Sequence, residues 1–463
     1  MKKIYIVLIA CFSVWSCDDF GDMNIDPNKP SEASDEQLIA NAMISLSELS
    51  SEPQGEFMGQ YLAETQYVTA SLYPVGSTSF YWLYQEPLMD LQTVIDRSEN
   101  NNRLAVAKIL KAYYFWNITD RWGDVPYTEA FQGAENLTPA YDTQESIYNN
   151  LFDLLEEATA QIEEGSISGD IIYGGDMEKW ERLANTIRML MALRLSEVDA
   201  ARGQQEFNNA LNAGIMTSNE DNLVFRHLAD ANQQNYWFDQ IAPAPAGQGR
   251  EWWALTETLV DEMKAVDDPR LPVYGEPARE STEGEYIGLP FGETQNMDTD
   301  SYSLLGTDIW EQDAPVQLVT YAQALFAKAE AAKRGWISGG DAEAQANYEM
   351  AIEQSMLQWT GSTEGLEEFL AQPEIAYDPA NAMEQIGTQR WVHLFMHGYE
   401  AWAEWRRTGY PDNMVAPGGT AVPTRLIYPE TEQFNNTSSY REAVQRQFGA
   451  EEGLYGKVWW DAN

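Results

Sequence analysis

Thiols are nearly absent from this chain. Among 463 residues there are two cysteines, Cys11 and Cys17. Cys11 falls in an amino-terminal apolar run whose removal is expected, which leaves one thiol, no intrachain disulfide and no thiolate zinc site. Histidine is almost as scarce, at three residues: His227, His393 and His397. His393 and His397 stand four apart, a spacing able to ligate zinc. However, HLFMH lacks the glutamate of HExxH, so a structural helix face is expected and no metal. Positive charge is also short: 28 basic residues face 73 acidic ones, a formal charge of −45. A surface of that sign repels nucleic acid, favours solubility and disfavours polyanionic ligands. After the first few residues no apolar run reaches the eighteen or so that a membrane-spanning helix needs. No nucleophile elbow, phosphate loop or dinucleotide fingerprint occurs. Carboxylates are so numerous that no pair stands out as a glycosidase dyad. The string NMDTD at 296–300 lacks the glycine and distal glutamate of a calcium loop, so a solvated turn is expected. The expectation is a protein without catalytic residues or cofactor.

The amino end reads MKKIYIVLIACFSVWSC. Two lysines, a short apolar run and small Ser16 before Cys17 mark a lipoprotein signal at 1–16, with Cys17 as the lipidated residue. Losing Lys2 and Lys3 leaves 26 basic residues against 73 acidic ones, a charge of −47. Asp18-Asp19 follow, then a stretch rich in Pro, Asn, Asp and Ser, so 17–35 is expected to be an extended tether. The remainder, 36–463, is expected to be one domain. It would be held to a leaflet by acyl chains alone, with an irregular insertion at about 221–312.

Aromatics are plentiful, with 16 Trp and 24 Tyr. The stretch 386–411 places Trp391, Leu394, Phe395, Gly398, Trp402 and Trp405 at spacings of three and four, which predicts one aromatic-faced helix. Asp378-Pro379 would start it, and Gly409 and Pro411 would stop it. Further helices are expected at 37–50, 57–70, from 81 to about 98, 103–122, 144–164, 177–200, 253–266, 315–335 and 342–359. Arg188 and Arg194 are expected to be buried partners of carboxylates.

The string QRW…LF..G.EAWAEWRRTGYP resembles the signature segment of the SusD/RagB family of outer-membrane lipoproteins, in its SusD-like 2 branch. MNIDPNKP at 23–30, TDRWGDVPYTEA at 119–130, WERLANTIRMLMALRLSEVD at 180–199, DPRL at 268–271 and VWWD at 458–461 resemble other parts of the family pattern. Asp18-Asp19 resemble the surface-export signal of such lipoproteins. The resemblance implies a mainly α-helical fold, with tetratricopeptide-like helix pairs as scaffold and an irregular, loop-rich ligand face. It also implies a cell-surface protein that captures oligosaccharide or polysaccharide and delivers it to a SusC-like TonB-dependent transporter in the outer membrane. A pyranose presents a face of C–H groups that an indole plane matches. Aromatics on loops held by a rigid scaffold are therefore the candidate glycan contacts: Trp82 and Trp310 first, then Tyr81, Tyr84, Trp237 and Tyr302. The negative charge favours a neutral glucan, with a β-glucan such as laminarin as the choice. The alternatives are a peptide-binding member of the family and a surface glycoside hydrolase.

Overall fold

Polar residues set one step ahead of apolar runs start most of the helices. A computed structural model describes residues 33–462 apart from Val75, Ser77, Thr420 and Ala450. The signal segment, Cys17 and the tether as far as residue 32 therefore lie outside the described residues. Ser34 forms a capping box with Gln37 and opens α1 (Asp35–Ile44). Next come α2 (Pro53–Met58), with proline in its first turn, and β1 (Leu62–Glu64). Tyr81–Leu83 runs through a wider-wound turn, Tyr84–Leu88, into α3 (Met89–Arg97). Asn100 caps α4 (Asn101–Trp122) and Thr143 caps α5 (Gln144–Gln161). Asp176 and Asp199 cap α6 (Met177–Arg194) and α7 (Ala200–Ala213). In each case a side-chain oxygen accepts from an otherwise unpartnered N–H of the first turn.

The middle of the chain carries short pieces. These are β2 (Leu223–Phe225), α8 (Tyr236–Ile241), β3 (Trp253–Leu255) and α9 (Glu257–Lys264). β1 pairs antiparallel with β3, Ala63 facing Ala254. β2 pairs antiparallel with β4 (Val316–Val319), Phe225 facing Val316. Helix then returns as α10 (Tyr321–Lys333), α11 (Gly340–Thr360), α12 (Ala382–His393), α13 (Gly398–Thr408) and α14 (Thr437–Phe448). One apolar cluster runs from Ile39 to Trp460, and a smaller one joins Phe326, Tyr348, Ala351 and Ile386.

Several expectations need correcting. The stretch 386–411 is two helices, because the chain turns between His393 and Gly398 with Met396 at a φ of 61°. Asn381 flanks the first of them, while Asp378 uses its carboxylate on Ala380 N and the Asn381 side chain. Gly409, at a φ of 78°, ends the second as expected. The stretch 57–70 is mostly strand and turn. Residues 253–255 and 316–319 are strands that precede their helices, whose true caps are Thr256 and Thr320. The stretch 177–200 is helical as far as Arg194, and α7 follows it as a separate element.

The two expected buried arginines are there. Arg188 meets Glu206 at 2.6 Å and Glu156 at 3.0 Å. Arg194 meets Asp120 at 3.1 Å and Glu400 at 2.7 Å, and also pairs with Glu404. Arg407 extends the cluster to Glu330 and Glu404, both at 2.6 Å. His393 is buried with its ring nitrogens 2.7 Å from the Thr320 hydroxyl and 3.0 Å from that of Ser355.

Candidate binding site

Helix α8 is the hub of the irregular face. Asn235 fixes it from both sides: its Oδ1 accepts from Trp237 N at 2.7 Å, and its Nδ2 donates to Ala314 O at 3.0 Å. Each of three hollows is lined in part by α8. The largest, about 550 Å³, is lined by Trp82, Phe225, His227 and Tyr236 and by the carboxylates Glu48, Glu52 and Asp239. A tight loop brings Asn232, Gln233 and Gln234 to it, closed by Leu228 N donating to Gln233 O at 3.1 Å.

The side chains of this hollow are well held. His227 Nδ1 lies 3.0 Å from Gln233 O, and its ring meets Phe225 edge-on at 4.8 Å. Burial holds its pKa below the ordinary histidine value, so the ring is neutral at pH 7. Asp239 accepts from Gln234, Gln240 and Gln248 at 3.3, 3.0 and 2.8 Å. Glu52 accepts from the Tyr399 hydroxyl at 2.8 Å. Burial, with Glu86 and Glu52 nearby, raises the carboxyl of Glu48. Neither lysine nor arginine lines this hollow. Its chemistry is aromatic rings, amides and hydroxyls within a negative field, which suits a neutral ligand with many hydroxyl groups.

The candidate residues are divided by the fold. Trp82 is half-buried on the largest hollow. Trp310 is half-buried on a different one, of about 110 Å³, with Trp253, Arg250 and Glu251. The two therefore do not face one another across one site. Trp237 is 2% exposed, with its ring packed between Tyr236 and Trp253, and it meets a third hollow only as part of its wall. Tyr81 donates its hydroxyl to Glu432, and Tyr84 donates to Pro126 O at 2.6 Å. Neither they nor half-buried Tyr302 line any of the three hollows.

Sequence reading missed Tyr236 and His227, and also Tyr67, which is 67% exposed. Tyr67 begins a row of rings: Tyr67–Trp252, Trp252–Trp253, Trp253–Trp237 and Trp237–Tyr236, with centroids 5.3, 5.3, 5.4 and 5.4 Å apart. The row ties the exposed edge of the molecule to the largest hollow. No periodicity marks it, because its members come from three separate segments. Glu64 sits beneath it and accepts from Trp252 Nε1 at 3.3 Å. Burial pushes the pKa of Glu64 up to about 7.

A family profile described as "Starch-binding associating with outer membrane", SusD-like 2, matches residues 27–429. Solved structures match over most of the chain. A chitin-binding protein is 29% identical, with 93% of this chain and 100% of that one aligned at a TM-score of 0.82. A SusD homolog from Bacteroides fragilis NCTC 9343 is 26% identical, with 93% and 99% aligned at 0.81. A chitin-binding SusD homolog from Flavobacterium johnsoniae is 23% identical, with 93% and 99% aligned at 0.79, which speaks for the fold alone. No curated protein matches the sequence.

Proposed function

This chain belongs to the SusD-like family of outer-membrane nutrient-binding proteins, and we propose that it captures a neutral oligosaccharide in the hollow of Trp82. The observation that carries this reading is the lining. A half-buried indole and a phenol ring stand with side-chain amides in a hollow without a cationic side chain. Rings of that kind supply apolar planes for the C–H faces of sugars, and the amides meet hydroxyls. A β-glucan such as laminarin is one ligand class that fits. The 29% identical relative carries chitin binding in its name, so chitooligosaccharides are the other.

In this reading the protein binds and performs no chemistry. Cys17 carries the lipid that holds it on the outer membrane, and a SusC-like TonB-dependent transporter receives the glycan. Among the described residues no helix is long and apolar enough to cross a membrane. Replacement of Cys17 by alanine should release the protein from the membrane pellet, and mild detergent extraction of native cells should recover a large β-barrel protein with it.

The deciding experiment is calorimetry with laminarin and chitin oligosaccharides, with a peptide digest as the rival ligand. Trp82→Ala should weaken glycan binding by tenfold or more, since an aromatic anchor is worth about 2 kcal/mol. Undiminished binding by that variant, or binding of peptide alone, would overturn the reading. Release of shorter sugars from the glycan would favour the hydrolase.

A further inference from the structure

A smaller hollow, of about 210 Å³, lies where the aromatic segment breaks between α12 and α13. Trp237, Trp359 and Phe395 give it apolar walls. These walls are well fixed. Phe395 stacks on Tyr274 with centroids 4.1 Å apart, Trp359 Nε1 donates to His393 O at 3.1 Å, and Ser50 Oγ donates to Met396 O at 2.5 Å. Three side-chain polar atoms on its lining are buried with no partner among the described residues: Ser51 Oγ, Gln317 Oε1 and Gln358 Nε2. Buried polar atoms are rarely left unpaired, because each forfeits its hydrogen bond to water. Asp308 is the one ionisable residue on the lining.

We infer that this hollow receives the terminal sugar residue of the glycan held beside Trp82, so that the protein reads chain ends. The inference rests on the glycan reading above. A hydroxyl, an amide carbonyl and an amide NH₂ form a mixed set of donor and acceptor groups. Ring hydroxyls, each both donor and acceptor, satisfy such a set, whereas an ion satisfies only half of it. The volume equals about seven waters, enough for one six-membered ring with its substituents and too little for two. Ser51 lines both this hollow and the larger one, so the two adjoin. A hollow with room for one ring, adjoining the larger one, is filled by the terminal residue of the chain held there.

Stoichiometry tests the inference. The wild-type protein is titrated with oligosaccharides and long polysaccharide of the linkage that binds best. An end reader takes up protein in proportion to the number of chain ends, so binding capacity per gram of glycan falls as the chains lengthen. Capacity per gram that stays constant with length would overturn the inference. In parallel, Gln317→Met and Gln358→Met remove one unpaired polar atom each at similar volume. Both should weaken binding of the oligosaccharide at least fivefold. Gln358 also accepts from Asn222 at 3.2 Å, so its variant could melt lower. The Gln317 side chain makes no hydrogen bond within the described residues, so its variant should melt as the wild type does. Wild-type affinity in Gln317→Met would assign the hollow to water and overturn the inference. If Trp82→Ala abolishes binding while capacity per gram stays constant, this inference alone falls. If the wild type binds no glycan, the reading beneath it falls too.

Discussion

Glu56 carries its carboxyl inside the core, where Gly398 N donates to Oε1 at 3.1 Å and Oε2 has no partner among the described residues. Burial pushes its pKa up to about 8 from an ordinary 4.5, so the folded chain holds this proton at neutrality. Between those two values the folded state binds more protons than the unfolded one. Stability therefore falls as pH rises through that window, by up to about 1.4 kcal/mol per pH unit. Glu56→Gln keeps the shape and removes the titration. It should melt like the wild type near pH 4.5 and above it at pH 8, and a lower melting point at pH 8 would refute the assignment. His393 and His397 act with the opposite sign. Burial holds both near 3, so they withdraw stability as pH falls from 6.5 towards 3. The tryptophans make a second comparison at this scale. Trp391 is fully buried, with Nε1 donating to Gly59 O at 2.9 Å, and Trp391→Ala should cost about 3–5 kcal/mol of stability. Trp310→Ala should cost far less and should leave glycan binding intact, because Trp310 lies outside the hollow of Trp82. Thermal melting and calorimetry on both variants separate the roles. Composition alone could not tell the two apart, since each tryptophan follows a turn or sits on an apolar period.

Elements were legible where a cap or a stop residue lay next to a regular period. Gly409 after α13 is such a case. The break at Met396 was not legible, because Leu394 and Phe395 continue the apolar spacing across it. What holds the turn is tertiary: Ser50 donates to Met396 O, and Phe395 packs on Tyr274. The strand Val316–Val319 was hidden for a related reason. Short apolar runs suit strand and helix alike, and its partner Leu223–Phe225 lies far away in sequence. The break also explains Gly398, which sequence reading placed merely on an aromatic face. Gly398 sits where α13 begins against α2, and a Cβ there would run into the Gly55 backbone. Backbone cannot move aside as a flexible side chain does, so Gly398→Ala should cost about 3 kcal/mol by urea denaturation. Gly398 lines none of the three hollows. The folded fraction of that variant should thus bind glycan as the wild type does. A loss of affinity without a loss of stability would contradict this separation of scaffold and site.

At the scale of the whole molecule, buried charge joins helices that the sequence keeps far apart. Asp120 on α4, Arg194 on α6, Glu330 on α10, Arg390 on α12 and Glu400, Glu404 and Arg407 on α13 form one cluster. Arginines amid apolar periods made burial of Arg194 legible. Its partners were not, since no spacing links residue 120 to residues 400 and 404. The ligand face was legible only as a region of faded periodicity, because its hollows are assembled from segments between Ile44 and Met396. Glu404 is the centre of the ion cluster, with Arg390 at 2.9 Å and Arg407 at 2.6 Å. Burial alone would raise its carboxyl, but Arg390, Arg407 and Arg194 around it hold it well below the usual carboxylate range. Glu404→Gln would leave three guanidinium groups enclosed with one carboxylate fewer between them. Breaking a buried ion pair from one side costs about 3–5 kcal/mol, since the remaining charge stays desolvated. The loss should persist in high salt, because screening hardly reaches the interior. Arg279 is the control: it is half-exposed, bridges Glu251 at 2.6 Å and Asp300 at 3.2 Å, and should lose under about 1 kcal/mol on replacement by alanine. Urea denaturation of both variants at low and high salt measures the difference. If Glu404→Gln were no more destabilised than Arg279→Ala, the cluster would not be the joint between helices α4, α6, α10, α12 and α13.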